Sequence, residues 1–124
     1  MRKRRILLVD DSEIVRELVK ATLEEAGYEV STHASPFGFS SSVLRQNPDL
    51  VLLDVNMPAL SGDKLAEIAV KNRLVGPTCP LLLFSDRPPH ELAVLAARCG
   101  ANGYIHKTND SQALIQAVGR YLQS

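Results

Sequence analysis

The 124-residue sequence predicts an α/β protein in which repeated strand–helix units close a single parallel sheet. Short leucine-rich or β-branched runs alternate with longer stretches of helical period. Two of those runs, Ile6-Leu7-Leu8-Val9 and Leu50-Val51-Leu52-Leu53, are apolar without alternation, as in strands covered by helices on both faces. No repeat and no long linker divides the chain, so residues 1–124 read as one domain. A chain of that size buries roughly two thirds of its unfolded surface without disulfide or metal staples.

The first strand is expected over Arg5 to Val9, and the first helix follows from Ile14, Val15, Leu18, Val19, Leu23 and Ala26, with Gly27 as its left-handed stop. Tyr28 to Thr32 reads as the second strand. The second helix, Phe37 to Gln46, is expected to be short and loose: Ser40-Ser41-Ser42 has poor helix propensity, while Pro36 suits a first turn and Val43-Leu44 offer an apolar contact. Leu50 to Leu53 is the third strand, and Leu65, Ile68 and Ala69 mark the third helix. Leu81 to Ser85 is the fourth strand, with Leu92, Leu95, Ala96 and Cys99 on the helix after it. Gly103 to Ile105 and a helix carrying Leu114, Ile115, Val118 and Leu122 complete five pairs. The Gly76 to Pro80 and Pro88-Pro89 stretches read as loops.

Fourteen Lys and Arg balance fourteen Asp and Glu, which gives no overall electrostatic reason to favour nucleic acid or a membrane surface. The basic start at Arg2-Lys3-Arg4-Arg5 is followed by an apolar run that Asp10 and Asp11 cut off, so it reads as a cytoplasmic chain rather than a secretory leader. Cys79 and Cys99 suggest neither a disulfide framework nor a zinc site and are expected to be reduced and buried. His33, His90 and His106 share no metal-ligand spacing and are expected to face solvent.

In a sheet of this kind ligands gather beyond the carboxyl ends of the strands. There the first strand ends in Asp10-Asp11, the third in Asp54 and the fourth in Ser85, and Lys107 follows the fifth. Three carboxylates brought together repel one another unless a cation sits among them, and hard oxygen ligands suit Mg²⁺ or Mn²⁺. An Asp carboxylate can also attack phosphorus, provided a metal and a positioned cation such as Lys107 neutralise the transferred charge.

Leu7-Leu8-Val9-Asp10-Asp11-Ser12, Leu53-Asp54-Val55-Asn56-Met57-Pro58 with Gly62, Ser85, and Gly100-Ala101-Asn102-Gly103-Tyr104-Ile105-His106-Lys107 together resemble a response-regulator receiver domain of bacterial two-component signalling, of the single-domain kind found among chemotaxis regulators. The match runs over nearly the whole chain. The resemblance implies a flavodoxin-like (βα)5 doubly wound sheet of strand order 2-1-3-4-5. It implies Asp54 as phosphoacceptor, and Asp10, Asp11, Asp54 and the backbone carbonyl of Asn56 around Mg²⁺. Lys107 and Ser85 would bind the phosphoryl group, and Ser85 with Tyr104 would form the switch. The responsive surface would include His90, Glu91, Val94, Arg98, Tyr104 and His106, on the fourth helix, fifth strand and fifth helix. The phosphodonor would be a sensor histidine kinase or phosphotransfer protein and the output a downstream protein target, with a monomer or a phosphorylation-dependent dimer as the assembly. Beyond its own phosphorylation and hydrolysis, no enzymatic turnover is implied.

Each residue also has a plainer reading. Asp10 and Asp11 could merely cap the first helix, Lys107 could be a solvated lysine, Ser85 a strand-end hydroxyl and Tyr104 simple packing. Two departures stand out. Thr108 follows Lys107 where the family commonly has a proline after a cis bond, and a cis bond without proline costs about 2.5–4 kcal/mol, so a trans bond is expected. Asp86 replaces a small residue beside Ser85, where it would repel a phosphodonor if it faced the pocket, and Arg87-Pro88-Pro89 stiffens the loop that is meant to move. These departures keep a phosphate-independent interaction module as the alternative. A flavin carrier is disfavoured because Asp10-Asp11 would repel its phosphate, and a phosphatase because Asn56 stands where its acid would be. If the chain is the full protein, the expected output is partner binding, since no room for a DNA-binding or enzymatic unit follows the last helix; equally, it reads as a receiver excised from a longer regulator or hybrid kinase.

Overall fold

The computed structural model describes residues 2–122. Five strands and five helices alternate: β1 (Arg5–Val9), α1 (Glu13–Glu25), β2 (Glu29–His33), α2 (Phe39–Gln46), β3 (Leu50–Asp54), α3 (Gly62–Lys71), β4 (Leu81–Ser85), α4 (Pro89–Cys99), β5 (Gly103–His106) and α5 (Ser111–Leu122). All strand pairings are parallel and the order is β2-β1-β3-β4-β5, the doubly wound flavodoxin-like arrangement expected. Successive side chains of a strand point to opposite faces, and both faces are covered, which is why β1 and β3 show no polar alternation. Leu7, Val9, Val51, Leu53, Leu81 and Leu83 pack under α2, α3 and α4. Ile6, Leu8, Leu50, Leu52, Leu82 and Phe84 pack under α1 and α5. β4 is as deeply buried as the two strands expected to be central.

Several details differ from expectation. Gly38, at φ +79°, turns the chain so that α2 begins at Phe39, and Pro36 lies buried in the loop before it. Phe39 and Val43 anchor α2, whereas Leu44 points outward. Ile14 and Leu18 are 72% and 63% exposed, because only the Val19 and Leu23 face of α1 meets the sheet and these two side chains sit about a third to a half turn away from it. Ala26 is the exposed cap of α1, ahead of Gly27 at φ +103°. Pro89 is not in a loop but starts α4, where its fixed φ suits a first turn. Cys99 is buried, but Cys79 is only partly so, since it sits in the Gly76–Cys79 turn; burial pushes its thiol up to about 11. His90 and His106 are exposed as expected, while His33 is half-buried, with its ring between the Phe37 carbonyl and Ser42 Oγ.

Candidate functional site

The carboxyl ends of β1, β3, β4 and β5 meet at one edge, and the sheet register decides which side chains share it. Val9 pairs with Leu53, so Asp10 and Asp54 emerge side by side where the chain reverses its direction of winding. Ser85 pairs with His106, and the ladder continues one step further, with Lys107 N–H donating to the Ser85 carbonyl at 2.8 Å.

Asp10 is wholly buried. Its Oδ1 accepts from Ser12 N–H at 2.9 Å, and Oδ2 lies 2.9 Å from Lys107 Nζ. That second contact is an ion pair without hydrogen-bond alignment, and Oδ2 is the buried side-chain oxygen among the described residues that lacks a hydrogen-bonded partner. Asp54, 2% exposed, accepts at Oδ1 from Asn56 N–H at 3.2 Å and from Lys107 Nζ at 3.3 Å. Asp11 is exposed at the rim, and oxygens of Asp10, Asp11 and Asp54 lie within 4.8 Å of one another. Helix capping falls to Ser12, whose Oγ accepts from Val15 N–H, so neither aspartate is consumed by it.

Burial disfavours the Asp54 carboxylate, and with Asp10 beside it the group is pushed up to about 6 even though Lys107 pulls the other way. For Lys107, burial works against the ammonium, but Asp10 and then Asp54 outweigh it and hold the amine above its ordinary value. Its Nζ also sits 5.3 Å from the centre of the Phe84 ring, a cation–π contact with no signal in the sequence. Three converging acids and a buried oxygen with spare acceptor capacity fit a divalent cation, and all three are hard oxygen donors.

Ser85 is fully buried; its Oγ accepts from Arg87 N–H at 3.1 Å and its own proton meets no acceptor among the described residues. Tyr104 is half-buried against the core beneath α4. His90, Glu91, Val94 and Arg98 are exposed along α4, which packs beside β5, and His106 is exposed on β5 with Nε2 3.2 Å from the Asp86 carbonyl. Asp86 is itself exposed, at the rim of a groove of about 390 Å³ whose wall includes Val15, Leu18, Lys107 and Thr108. The peptide bonds among the described residues are trans, including the one before Thr108. Sequence reasoning missed the contact between Arg87 and Asn56 Oδ1, at 2.8 Å, and the role of Gly62, whose α-carbon lies against the Asp54 backbone.

The fold and this acidic edge define a doubly wound α/β domain with an acidic pocket that could hold a divalent metal ion. The chain belongs to the response regulator receiver domain family, whose model matches residues 6–119. Among its relatives, regulatory protein AtoC of Escherichia coli is 36% identical over 122 residues, covering 96% of this chain and 25% of that protein. Transcriptional regulatory protein CseB of Streptomyces coelicolor is 31% identical over 120 residues, covering 95% of this chain and 49% of that protein. The chain thus spans about half or less of the length of these curated relatives. Among solved structures, chemotaxis protein CheY4 of Vibrio cholerae matches with a TM-score of 0.88 at 28% identity, covering 98% of this chain and 100% of that one. It is therefore a receiver domain of the two-component type, a signalling domain rather than a conventional enzyme. No helix among the described residues is long and apolar enough to cross a membrane.

Proposed function

We propose that this domain is a phosphorylation-controlled switch that accepts a phosphoryl group on Asp54 from a phosphohistidine of a sensor kinase or phosphotransfer protein. The observation that carries the reading is a buried carboxylate 3.3 Å from Lys107 with two further acids beside it. Asp10, Asp11, Asp54 and the backbone carbonyl of Asn56 would hold Mg²⁺ or Mn²⁺, which when bound neutralises charge on the transferred group. An Asp54 oxygen attacks phosphorus, the donor's P–N bond breaks, and its electron pair stays with the imidazole, which leaves neutral after taking up a proton at its other nitrogen. Hydrolysis later adds water to phosphorus and returns Asp54 as a carboxylate with release of inorganic phosphate.

Lys107 pairs with the phosphoryl oxygens, and the free Ser85 proton supplies a donor from the opposite strand. Drawing Ser85 toward the phosphoryl group vacates space that Tyr104 fills, which changes the α4-β5-α5 face bearing His90, Glu91, Val94, Arg98, Tyr104 and His106. The output is altered binding of a protein target in the cytoplasm, as a monomer or a phosphorylation-dependent dimer, without direct contact to nucleic acid or membrane.

The test is an amide NMR titration with Mg²⁺ and then beryllofluoride, a phosphoryl mimic, with Asp54→Asn as control. Mg²⁺ is expected to shift Asp11, Asp54 and their neighbours, and beryllofluoride to move Ser85, Tyr104 and α4 in the wild type only. If beryllofluoride leaves those residues unmoved, a phosphate-independent interaction module becomes the better account.

A further inference from the structure

We infer that Arg87 is a second phosphoryl-binding cation, held on Asn56 in the resting domain and transferred to the phosphoryl group once Asp54 is modified. This rests on the phospho-switch reading above. The loop between β4 and α4 is tied down at three points. Arg87 N–H donates to Ser85 Oγ at 3.1 Å, the Arg87 guanidinium donates to Asn56 Oδ1 at 2.8 Å, and the Asp86 carbonyl meets His106 Nε2 at 3.2 Å. The guanidinium is thereby held over the residue whose own N–H donates to Asp54 Oδ1.

That placement is electrostatically underused. Arg87 is half-buried and anchored on the residue two positions after Asp54, yet among the described residues it forms no ion pair, and the buried acids Asp10 and Asp54 are matched by Lys107 instead. Its recorded side-chain contact is to a neutral amide oxygen, about half as strong as one to an anion. Arg16, the other arginine beside the pocket, donates to the backbone carbonyl of Asp10 at 2.8 Å, which ties it to the chain rather than to a side chain that can be exchanged.

Charge balance gives the direction. Three carboxylates and Lys107 leave two net negative charges, which one divalent ion cancels. Phosphorylation replaces the single charge of Asp54 with two, and the uncompensated charge appears on the side chain that the Asn56 N–H already contacts, Asn56 being the guanidinium's anchor. Exchanging the Asn56 amide for phosphoryl oxygens gives Arg87 the stronger acceptor and a bidentate geometry that suits its fork. Because the Arg87 N–H is also the Ser85 partner, the same movement frees that hydroxyl and couples recognition to the loop.

The experiment measures beryllofluoride affinity at saturating Mg²⁺, and Mg²⁺ affinity separately, for the wild type, Arg87→Ala and Arg87→Lys. Loss of one charge-assisted contact should weaken beryllofluoride binding of Arg87→Ala about tenfold while Mg²⁺ binds no more weakly than in the wild type. Arg87→Lys, which keeps the charge but not the fork, should recover part of the loss. Unchanged or tighter beryllofluoride binding by Arg87→Ala would reduce Arg87 to a resting latch and overturn the inference. A parallel loss of Mg²⁺ affinity would overturn it too, marking Arg87 as a scaffold of the pocket. If the wild type itself takes up no beryllofluoride, it is the phospho-switch reading that fails, and this inference goes with it.

Discussion

Gly62 offers a test in which two ordinary forces oppose each other. It is the first residue of α3, and an alanine in a helix is favoured over glycine by up to about 1 kcal/mol. A Cβ built there, however, would lie 2.0 Å from the Asp54 carbonyl oxygen, 2.7 Å from its carbon and 3.0 Å from Val55 Cα. A carbon–oxygen contact needs about 3.3 Å, so the helix start or the Asp54 peptide must move by more than about 1 Å. Backbone cannot rotate aside as a side chain can, and the Gly62 N–H to Val55 carbonyl bond at 3.0 Å resists the shift. A backbone clash this close belongs to the upper part of the overpacking range, about 2–3 kcal/mol, which leaves a net loss of about 1–2 kcal/mol after the propensity gain and lowers Tm by about 5 °C. Functional side chains tolerate about 0.5 Å, so Mg²⁺ affinity should fall about tenfold as well. Thermal denaturation and Mg²⁺ titration of Gly62→Ala check both. A variant as stable as the wild type with intact Mg²⁺ affinity would refute the steric argument.

Gly119→Ala is the converse case: in α5 an added Cβ finds only Tyr28 Oη at 3.9 Å, so urea denaturation should show a gain of about 0.5–1 kcal/mol. Asp49 accepts from both Arg2 nitrogens and from Arg5 N–H, and the Arg2 hydrogen bond holds its carboxyl below the usual range. Its stabilisation is therefore complete above pH 4 and lost as the pH falls through the lowered value. Asp49→Asn should cost about 1 kcal/mol at pH 7, and that difference from the wild type should close on acidification below pH 4. Asp54 has the opposite sign: with its folded value raised from 3.8 to about 6, the metal-free wild type should lose stability as the pH rises across that interval. In EDTA, Asp54→Asn should melt above the wild type at pH 7 and level with it near pH 4, and an unchanged difference across that range would sink the argument.

Most of the fold was legible because parallel strands buried on both faces leave an unmistakable mark, as in Leu50 to Leu53, and because Gly27 punctuates a strongly periodic helix. Legibility failed where two adjacent helix positions are both apolar. Ile14 and Val15, or Val43 and Leu44, differ by about 100° in direction, and only packing decides which one is covered. The start of α2 was misplaced for a related reason, since Pro36 is compatible with a helix start whereas the left-handed Gly38 excludes one. Within the site, the acids, Ser85 and Lys107 could be found from their places at strand ends. Which aspartate of the Asp10-Asp11 pair turns inward could not, nor could contacts between distant loops such as Arg87 with Asn56.

Thr108 illustrates how far a departure from the family pattern reaches. The sequence raises the question whether Lys107 can be placed without the proline that commonly follows it. Its position, however, is set upstream: β5 pairs with β4 in register, and the Lys107 N–H completes that ladder on the Ser85 carbonyl before Thr108 is reached. From there the side chain runs over Phe84 to the two buried aspartates. The turn that follows is built from local hydrogen bonds. Thr108 Oγ1 accepts from Asp110 N–H at 3.1 Å, and Asp110 Oδ1 in turn accepts from Gln112 and Ala113 at the start of α5. A side-chain-stapled trans turn and a ladder-positioned lysine thus reach the pocket geometry independently of each other. The residue after the lysine therefore acts on how the β5–α5 loop is held, downstream of the contacts that place the ammonium.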